Sequence, residues 1–409
     1  MESILFKEFT LQNGTKIKNR FFKGAMSEAL ANVHLQPTES IYRLYETFAK
    51  GGTGIVVTGN VMIDSKALGE PRNVVVENEE ILPFLEKWAE RGTINNTQLW
   101  MQLNHPGKQA FKDVVNEAVA PSAIPFPGAS SRFFHHPREI TPTEIVDLIH
   151  RFGNSAKLAQ KAGFTGVQIH GAHGYLISQF LSPSHNQRND EWGRDIDGRM
   201  KFLIEVYREI RSQTGPLFPI SVKLNSADFM KAGFSEEEAI YVAGQLEKEG
   251  VDLLEISGGS IANLATPGKD VKASTNVREA YFLDFAEKLR KTVDMPLSVT
   301  GGFRTKKGME SAVHSNATDF VGLARPLAVY PDLPNLIEEN ILQEIILTHK
   351  KLGIKSIDNQ LPLDSMWYTQ QLDRLGRGKQ VRPNHPVWIS FLQALLKNGK
   401  EVFQQRRAK

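Results

Sequence analysis

The sequence predicts a (β/α)8 barrel, the TIM-barrel fold, followed by a helical C-terminal extension. Eight short apolar runs bounded by glycine or proline alternate with longer segments of helical periodicity, which is the pattern of repeated βα units. The runs are apolar throughout, as in a parallel sheet covered on both faces, and eight of them suit a closed barrel better than an open sheet. We expect residues 1–345 to form the barrel and residues 346–409 to pack on it or on a neighbouring subunit.

The predicted strands occur at intervals along the whole barrel segment. In chain order they are RFFKGAM (20–26), GIVVTGN (54–60), NTQLWMQLN (96–104), GVQIHGA (166–172), PISVKLN (219–225), VDLLEIS (251–257), PLSVTGG (296–302) and DFVGLARPL (319–327). The helices between them carry start and stop signals. These are capping-box spacings and helix-ending glycines, namely Thr141 with Glu144, Ser235 with Glu238, Gly52, Gly163 and Gly250.

Two stretches fall outside the repeated unit. Residues 105–140 are rich in proline, glycine and serine, which predicts a long loop over the mouth of the barrel. From about residue 350 the chain continues beyond the eight βα units of the barrel. The segment SMWYTQQLDRLGRGKQVRPNHPVWISFLQALLKNGK predicts two short helices before the basic end EVFQQRRAK.

The composition argues against several classes of protein. The formal net charge is +3, from 49 basic and 46 acidic residues, which is too balanced to indicate a nucleic-acid or membrane-surface partner. The chain has no cysteine, which excludes disulfides, thiolate metal sites, iron–sulfur clusters and a catalytic thiol. No apolar segment has the length of a signal peptide core or a membrane span, so we expect a cytoplasmic protein.

Two histidines and a tyrosine follow the fourth predicted strand. If that strand ends just before His170, then His170, His173 and Tyr175 lie at the mouth of the barrel, where such folds carry their functional groups. Imidazole N–H groups aimed at one oxygen polarise a carbonyl, and a phenol can hold its proton until the transition state. Ordinary core histidines are the structural alternative. A metal site is a further alternative, although a carboxylate or third imidazole close by is missing.

Other predicted strands end in groups that suit a bound anion or a ring system. Lys223 is a buried cation that needs a negative partner, or else an amine for Schiff-base chemistry. The glycines at 301 and 302, with Arg325 after the eighth strand, stand where such barrels hold a phosphate. Gln102 offers a carboxamide in the middle of the mouth. Together these groups fit an isoalloxazine ring with a phosphate tail.

Several motifs resemble those of the Old Yellow Enzyme family of FMN-dependent ene-reductases. They are NRFFKGAMS (19–27), QLNHPGK (102–108), HGAHGYL (170–176), FLSPSHNQRNDEWG (180–193) and GLARPLAVYPD (322–332). The resemblance runs from about residue 4 to residue 340 and implies a barrel that binds FMN without a covalent link. The partners it implies are small electrophilic alkenes, with a homo-oligomer as a possible assembly.

The resemblance also implies a role for each matching residue. Histidines 170 and 173 bind the substrate carbonyl, His170 also contacts the cofactor, and Tyr175 protonates the α-carbon. NAD(P)H reduces FMN and leaves, the alkene takes its place, and hydride passes from flavin N5 to the β-carbon in a ping-pong mechanism. The remaining implied cofactor contacts are Ala25, Met26, Ser27, Gly59, Gln102, Lys223, Gly301, Gly302, Ala324 and Arg325.

This sequence departs from the family pattern at some of these positions. Many relatives have threonine or cysteine at the position of Ser27 and arginine at the position of Lys223. Lysine lacks the bidentate fork of arginine, so Lys223 is expected to act on flavin N1 as a point charge. Two other hypotheses stay open at this point: a Schiff-base lyase or aldolase that uses Lys223, and a non-catalytic flavin-binding protein.

Overall fold

A closed barrel of eight parallel strands forms the body of the molecule. The computed structural model describes residues 3–127, 131–258, 279–347, 350–353, 363–390 and 392. We number the barrel strands in chain order: β1 Phe21–Lys23, β2 Ile55–Val57, β3 Gln98–Asn104, β4 Gly166–Gly171, β5 Ile220–Asn225, β6 Leu253–Ser257, β7 Leu297–Thr300 and β8 Phe320–Leu323. Each strand pairs in parallel with the next, β8 pairs with β1, and the ring is thereby closed. The predicted fold class is confirmed.

Helices surround the barrel and continue beyond it. They are α1 Glu39–Lys50, α2 Leu82–Gly92, α3 Pro142–Lys161, α4 Leu176–Leu181, α5 Ile196–Thr214, α6 Glu236–Glu249, α7 Leu283–Leu289, α8 Lys306–His314, α9 Arg325–Val329, α10 Leu333–Glu338 and α11 Leu363–Gly376. Among the described residues, none of these helices combines the length and hydrophobicity that crossing a bilayer requires.

The predicted helix signals are present as hydrogen bonds and backbone angles. Capping boxes open α3 and α6, where Thr141 pairs with Glu144 and Ser235 with Glu238. The three glycines predicted at helix ends have left-handed backbones, with φ of 89° at residue 52, 92° at residue 163 and 90° at residue 250. Only glycine adopts this conformation at little cost, which is why it stands at these ends.

Some strand ends were predicted wrongly. Strand β4 does not end before His170: it continues to Gly171, because Gly171 still pairs with Leu224 of β5. Strand β1 ends at Lys23, so Ala25, Met26 and Ser27 form the rim after the strand. Strand β8 ends at Leu323, because the chain turns into α9 at Arg325. Apolar runs mark the centre of a strand better than its end, since only pairing with a neighbour fixes the end.

The interior of the barrel is apolar at one end and polar in the middle. Phe22, Ile55, Trp100, Leu253 and Phe320 form a buried cluster near the start of the strands. A hairpin of Phe9–Thr10 and Lys16–Ile17 covers this end and adds Leu11 and Ile17 to the same cluster. The opposite end is therefore the open mouth, where the C-terminal ends of the strands meet.

The C-terminal extension is described in part. Helix α11 packs against α1, and Arg43 donates a hydrogen bond from Nη1 to the carbonyl of Gly376 at 3.5 Å. A Cβ at Gly376 would lie 2.7 Å from the carbonyl oxygen of Ser40, so the two helices approach closely. Of the second predicted helix, residues 387–390 are helical, while most of its remainder and the basic end EVFQQRRAK lie outside the described residues.

Candidate active site

His170, His173 and Tyr175 are brought together at the mouth of the barrel. Nε2 of His170 lies 3.3 Å from Nδ1 of His173, and the two rings are nearly perpendicular at 77°. The ring of Tyr175 lies against His170 with 4.8 Å between the centroids. Two residues of the rim and the strand end, Asn60 and Ser257, complete the group. Asn60 donates to the phenol oxygen at 3.4 Å, and Nε2 of His173 lies 2.7 Å from Oγ of Ser257.

The short turn after β4 places these side chains. His173 has φ of 61°, a left-handed conformation that is strained for a residue with a Cβ. Its backbone N–H is held by Oδ1 of Asn225, the last residue of β5, at 3.1 Å. The turn thus points the imidazole toward the ends of β5 and β6 instead of into the solvent. Backbone strain of this kind concentrates at functional sites.

Both imidazoles are held neutral by their surroundings. Burial lowers the pKa of His173 to about 3, with a further lowering by the charge of Lys223. Burial also lowers the pKa of His170 well below its ordinary value, and His173 and Lys223 act in the same direction. Nδ1 of His170 is buried and has no hydrogen-bond partner among the described residues. Such an orphaned ring nitrogen is what a bound ligand would satisfy.

The phenol of Tyr175 is kept protonated. Burial raises its pKa far above the ordinary value, the charge of Glu70 raises it further, and the hydrogen bond from Asn60 acts in the opposite direction. A phenol of this kind is a hydrogen-bond donor throughout the physiological pH range.

A chain of polar side chains crosses the barrel beneath the histidines. Nε2 of Gln102 donates to Oε1 of Gln168 at 2.7 Å, and Nε2 of Gln168 donates to Oε2 of Glu255 at 2.9 Å. Because β4 and β6 are not neighbours, the second bond spans the interior. Glu255 also forms an ion pair with Nζ of Lys223 at 2.9 Å and accepts from Oγ1 of Thr300 at 2.7 Å. The expected negative partner of Lys223 is therefore Glu255.

Two carboxyl groups lie at the rim after β1: the buried Glu28, which belongs to it, and the half-buried Glu70, which reaches it from the loop after β2. Glu28 accepts hydrogen bonds from the phenol of Tyr45 and from the backbone N–H of Gly59, the latter at 3.1 Å. Glu70 accepts a hydrogen bond from the hydroxyl of Ser27. Burial raises the pKa of both carboxyl groups. The amide of Gly59 is thus engaged by protein groups, and a Cβ there would lie 2.3 Å from Oε2 of Glu28, so close packing accounts for this glycine.

The end of the mouth between β7 and β8 is suited to a phosphate. Gly301 and Gly302 have φ of 108° and 99°, and a Cβ at Gly302 would lie 2.1 Å from the carbonyl oxygen of Glu279. Ala324 precedes α9, and Arg325 is the first residue of that helix. The guanidinium of Arg304 faces the same region, and its pKa is lowered first by burial and also by the charge of Arg325. Two guanidinium groups that repel each other are stabilised by an anion between them.

The residues at this mouth fit FMN on structural grounds. Positive groups and glycines stand at one end, an unsatisfied imidazole nitrogen and a phenol stand at the other, and Lys223 with Gln102 lies between them. A small pocket adjoins this mouth, against Ser27, Gly59 and Asn60. This arrangement corresponds to the three parts of the cofactor: the phosphate, the pyrimidine edge and the reactive face.

Comparison with known proteins decides the family. The sequence model of the NADH:flavin oxidoreductase / NADH oxidase family matches residues 4–344. The chain belongs to this family. A relative within it is the NADH-dependent flavin oxidoreductase iliE of Hypocrea jecorina, which is 36% identical over 356 residues covering 81% of this chain and 88% of the relative.

Solved structures share the fold of this family member. A 2-naphthoyl-CoA reductase bound to 2-naphthoyl-CoA superposes with a TM-score of 0.77 at 27% identity, covering 82% of this chain and 52% of that one. The Old Yellow Enzyme homologue from Zymomonas mobilis gives a TM-score of 0.73 at 24% identity, covering 90% of this chain and 99% of that one. The chain is thus an NAD(P)H-dependent flavin oxidoreductase with FMN as its cofactor.

Several charged residues near the site were not predicted from the sequence, among them the buried Lys23, whose Nζ donates to the carbonyl of Val57 at 2.8 Å. Glu255 could have been predicted, because an acidic residue inside an apolar strand is unusual and β6 pairs directly with the strand of Lys223. Glu28 and Arg304 follow predicted strands closely and could have been included for that reason. Glu70 lies in a loop, and nothing in its sequence context indicates that it folds back onto Ser27.

The neutral imidazoles lead to a prediction about ligand binding. We expect the dissociation constant of a neutral cyclic enone for the oxidised enzyme to be unchanged between about pH 5 and pH 8, because the pKa of His173 is about 3 and that of His170 is also depressed. Titration of flavin absorbance at each pH measures it. A tenfold change centred near pH 6.5, the pKa of an ordinary imidazole, would contradict the assignment.

Glu70 should make the binding of anions depend on pH. Its pKa is raised by burial, so Glu70 becomes ionised at a higher pH than an ordinary glutamate does. We expect the affinity for a small carboxylate ligand to fall roughly threefold to tenfold as Glu70 ionises with rising pH, an effect of about 1 kcal/mol from like charges. In Glu70→Gln the affinity at the alkaline end of the titration should increase and the pH dependence should disappear. Equal dependence in both proteins would assign the titration to another group.

Proposed function

We propose that this enzyme reduces activated carbon–carbon double bonds, in α,β-unsaturated carbonyl or nitro compounds, with NAD(P)H as the reductant. The observation that carries the proposal is the grouping of a neutral imidazole pair with a protonated, half-buried phenol at the mouth of an FMN-binding barrel. Such a grouping binds an electron-withdrawing oxygen and supplies a proton nearby, which are the two requirements of alkene reduction besides electrons.

Each residue has a defined part in this proposal. His170 and His173 bind the carbonyl or nitro oxygen as hydrogen-bond donors, and Tyr175 supplies the proton to the α-carbon. Asn225 fixes the backbone of His173, and the imidazole donates to the substrate oxygen when the ligand replaces the contact of Nδ1 with His170 or of Nε2 with Ser257. Bound FMN supplies the transfer of two electrons, as hydride from N5, between the nicotinamide and the substrate.

The cofactor itself would be held by the residues that surround the polar chain. We assign the pyrimidine edge to Gln102 and Lys223, and the phosphate to Gly301, Gly302, Ala324 and Arg325. Ala25, Met26 and Ser27 would line the ring from the rim after β1. For Gly59 we propose a van der Waals contact with the cofactor and no hydrogen bond from its N–H, because that N–H already donates to Glu28 and to the phenol of Tyr45.

In this arrangement the same pair of histidines binds the nicotinamide and the alkene in turn, so we propose a ping-pong mechanism. The test is an anaerobic experiment in two steps: NADH or NADPH is added until the flavin absorbance is bleached, the nicotinamide is removed, and a cyclic enone is added. Recovery of absorbance with formation of the saturated ketone is expected, together with parallel lines in steady-state kinetics. Bleaching without recovery by any enone or nitroalkene would contradict the proposal.

The structure does not favour the lyase hypothesis. The amine of Lys223 forms an ion pair with Glu255 at 2.9 Å and is buried beneath the histidines, whereas Schiff-base chemistry needs a free amine at the substrate. We also propose that the enzyme works in the cytoplasm, where its nicotinamide reductant is available. Self-association through the extension is a further proposal, and analytical ultracentrifugation tests it.

A further inference from the structure

Helix α11 contacts both ends of the candidate cofactor site, although it lies outside the barrel. At one end, Oδ2 of Asp364 is 3.8 Å from Nη1 of Arg325, an arginine placed at the phosphate. At the other end, the hydroxyl of Thr369 donates to the backbone carbonyl of Ser27 at 3.4 Å. One helix therefore spans the distance from the phosphate end to the rim that would line the flavin ring.

Tyr368 lies between these two contacts and faces the arginines. Its pKa is raised by burial, lowered by the charge of Arg325, raised by Asp364 and lowered by Arg304. Asp364 lies one helical turn earlier on the same face of α11 and contacts Arg325, so Tyr368 lies on the side of the helix that faces the arginines. The residue is 6% exposed, and its hydroxyl forms no hydrogen bond with another described residue. The hydroxyl is therefore free to donate to a ligand.

The ring is held in place by the packing of α11. Tyr368 contacts the neighbouring Trp367 edge to face, with 5.0 Å between centroids. Trp367 is itself buried and donates from its indole nitrogen to the carbonyl of His385 at 2.9 Å. The helix is also packed against α9, which begins with Arg325. The phenol is therefore presented to the arginine pair by a fixed scaffold.

We propose that Tyr368 donates its phenolic hydrogen to the phosphate of FMN, so that helix α11 forms part of the cofactor site. An anion bound by Arg304 and Arg325 lies within the region that Tyr368 faces, and a phosphate oxygen is a strong acceptor for a phenol. Tyr368 lies beyond residues 4–344, so this contact is a feature of the chain's own extension and not of the matched family segment.

A coupling between cofactor binding and helix docking follows. A ligand that contacts α11 stabilises the docked state of the helix by the same free energy that the docked helix adds to the binding of the ligand. FMN should therefore protect α11, while riboflavin, which has the same ring system without the phosphate, should protect it much less.

The test compares FMN with riboflavin in Tyr368→Phe. The holoenzyme is stripped of FMN, and both ligands are titrated by fluorescence quenching. We expect FMN to bind about tenfold more weakly to the variant than to the original protein, the loss typical of a hydrogen bond to a charged group, and riboflavin to bind equally to both. The matched control is Asp373→Asn, which alters the surface pair of Asp373 with Arg377 on the same helix and should change neither affinity.

Two results would overturn the proposal. Unchanged FMN affinity in Tyr368→Phe excludes the hydrogen bond, and an equal loss for FMN and riboflavin assigns Tyr368 to packing alone. If the variant fails to fold, hydrogen exchange of α11 in the original protein decides the question: FMN must slow exchange more than riboflavin does, and equal protection refutes the contact. Neither measurement depends on turnover, so the result is independent of the proposed reaction.

Discussion

Replacement of Tyr175 by phenylalanine should lower the rate of enone reduction by roughly 10² to 10⁴, the range expected when a positioned general acid is removed. FMN should remain bound, and reduction of the flavin by NAD(P)H should proceed at close to its original rate, because that half-reaction needs no proton from the phenol. Stopped-flow absorbance separates the two half-reactions. The pKa of Tyr175 is raised by burial, so no ionised fraction is lost on substitution.

The matched control is Tyr207→Phe, which removes a phenol that donates to the carbonyl of Gly250 at 2.7 Å on the outside of the barrel. This variant should keep both half-reactions. If Tyr175→Phe slows the nicotinamide step as much as the enone step, the phenol positions ligands in general and is not the proton donor. If neither step slows, the proton comes from elsewhere.

The second large effect is expected for Lys223→Met. Removal of the ammonium leaves Glu255 buried inside the barrel without its ion-pair partner, and breaking a buried pair in this way costs about 3–5 kcal/mol of unfolding free energy. Urea unfolding of the apoprotein, followed by circular dichroism, measures the loss. We also expect weaker FMN binding, because Lys223 faces the polar middle of the mouth.

Two comparisons isolate the buried charge as the cause. Lys223→Met combined with Glu255→Gln should recover part of the lost stability, since no uncompensated carboxylate remains. Lys288→Met breaks an exposed pair with Glu236 and should change the unfolding free energy by about 1 kcal/mol or less. A loss for Lys223→Met as small as that of the surface variant would show that water or another group compensates Glu255.

The barrel was predictable from the sequence because each strand is a short apolar run between helices that carry their own end signals. Capping boxes and terminal glycines depend on neighbours within a few residues, so the sequence alone indicates them. The ends of β1, β4 and β8 were predicted wrongly, since a strand ends where its partner's pairing ends. That information lies in another part of the chain.

The candidate site was predictable to the same extent and for the same reason. His170 lies near the end of β4, and His173 and Tyr175 follow that strand within a few residues, so their grouping could be inferred from the C-terminal ends of parallel strands. Contacts between segments that are distant in the sequence were not predictable. Ser27 is 43 residues from Glu70, and Thr369 is 342 residues from Ser27, and no local pattern indicates that either pair meets.

The hydrogen-bonded line from Gln102 through Gln168 to Glu255 has a consequence for engineering. A carboxamide has one donor end and one acceptor end, so the orientation of each side chain in the line dictates the orientation of the next. If one carboxamide is reversed or removed, the next side chain in the line is left with a donor facing a donor, an acceptor facing an acceptor, or no partner at all. Mutant libraries that aim to change the flavin environment should therefore vary these positions on β3, β4 and β6 together. Replacing them one at a time produces variants with unpaired polar groups inside the barrel.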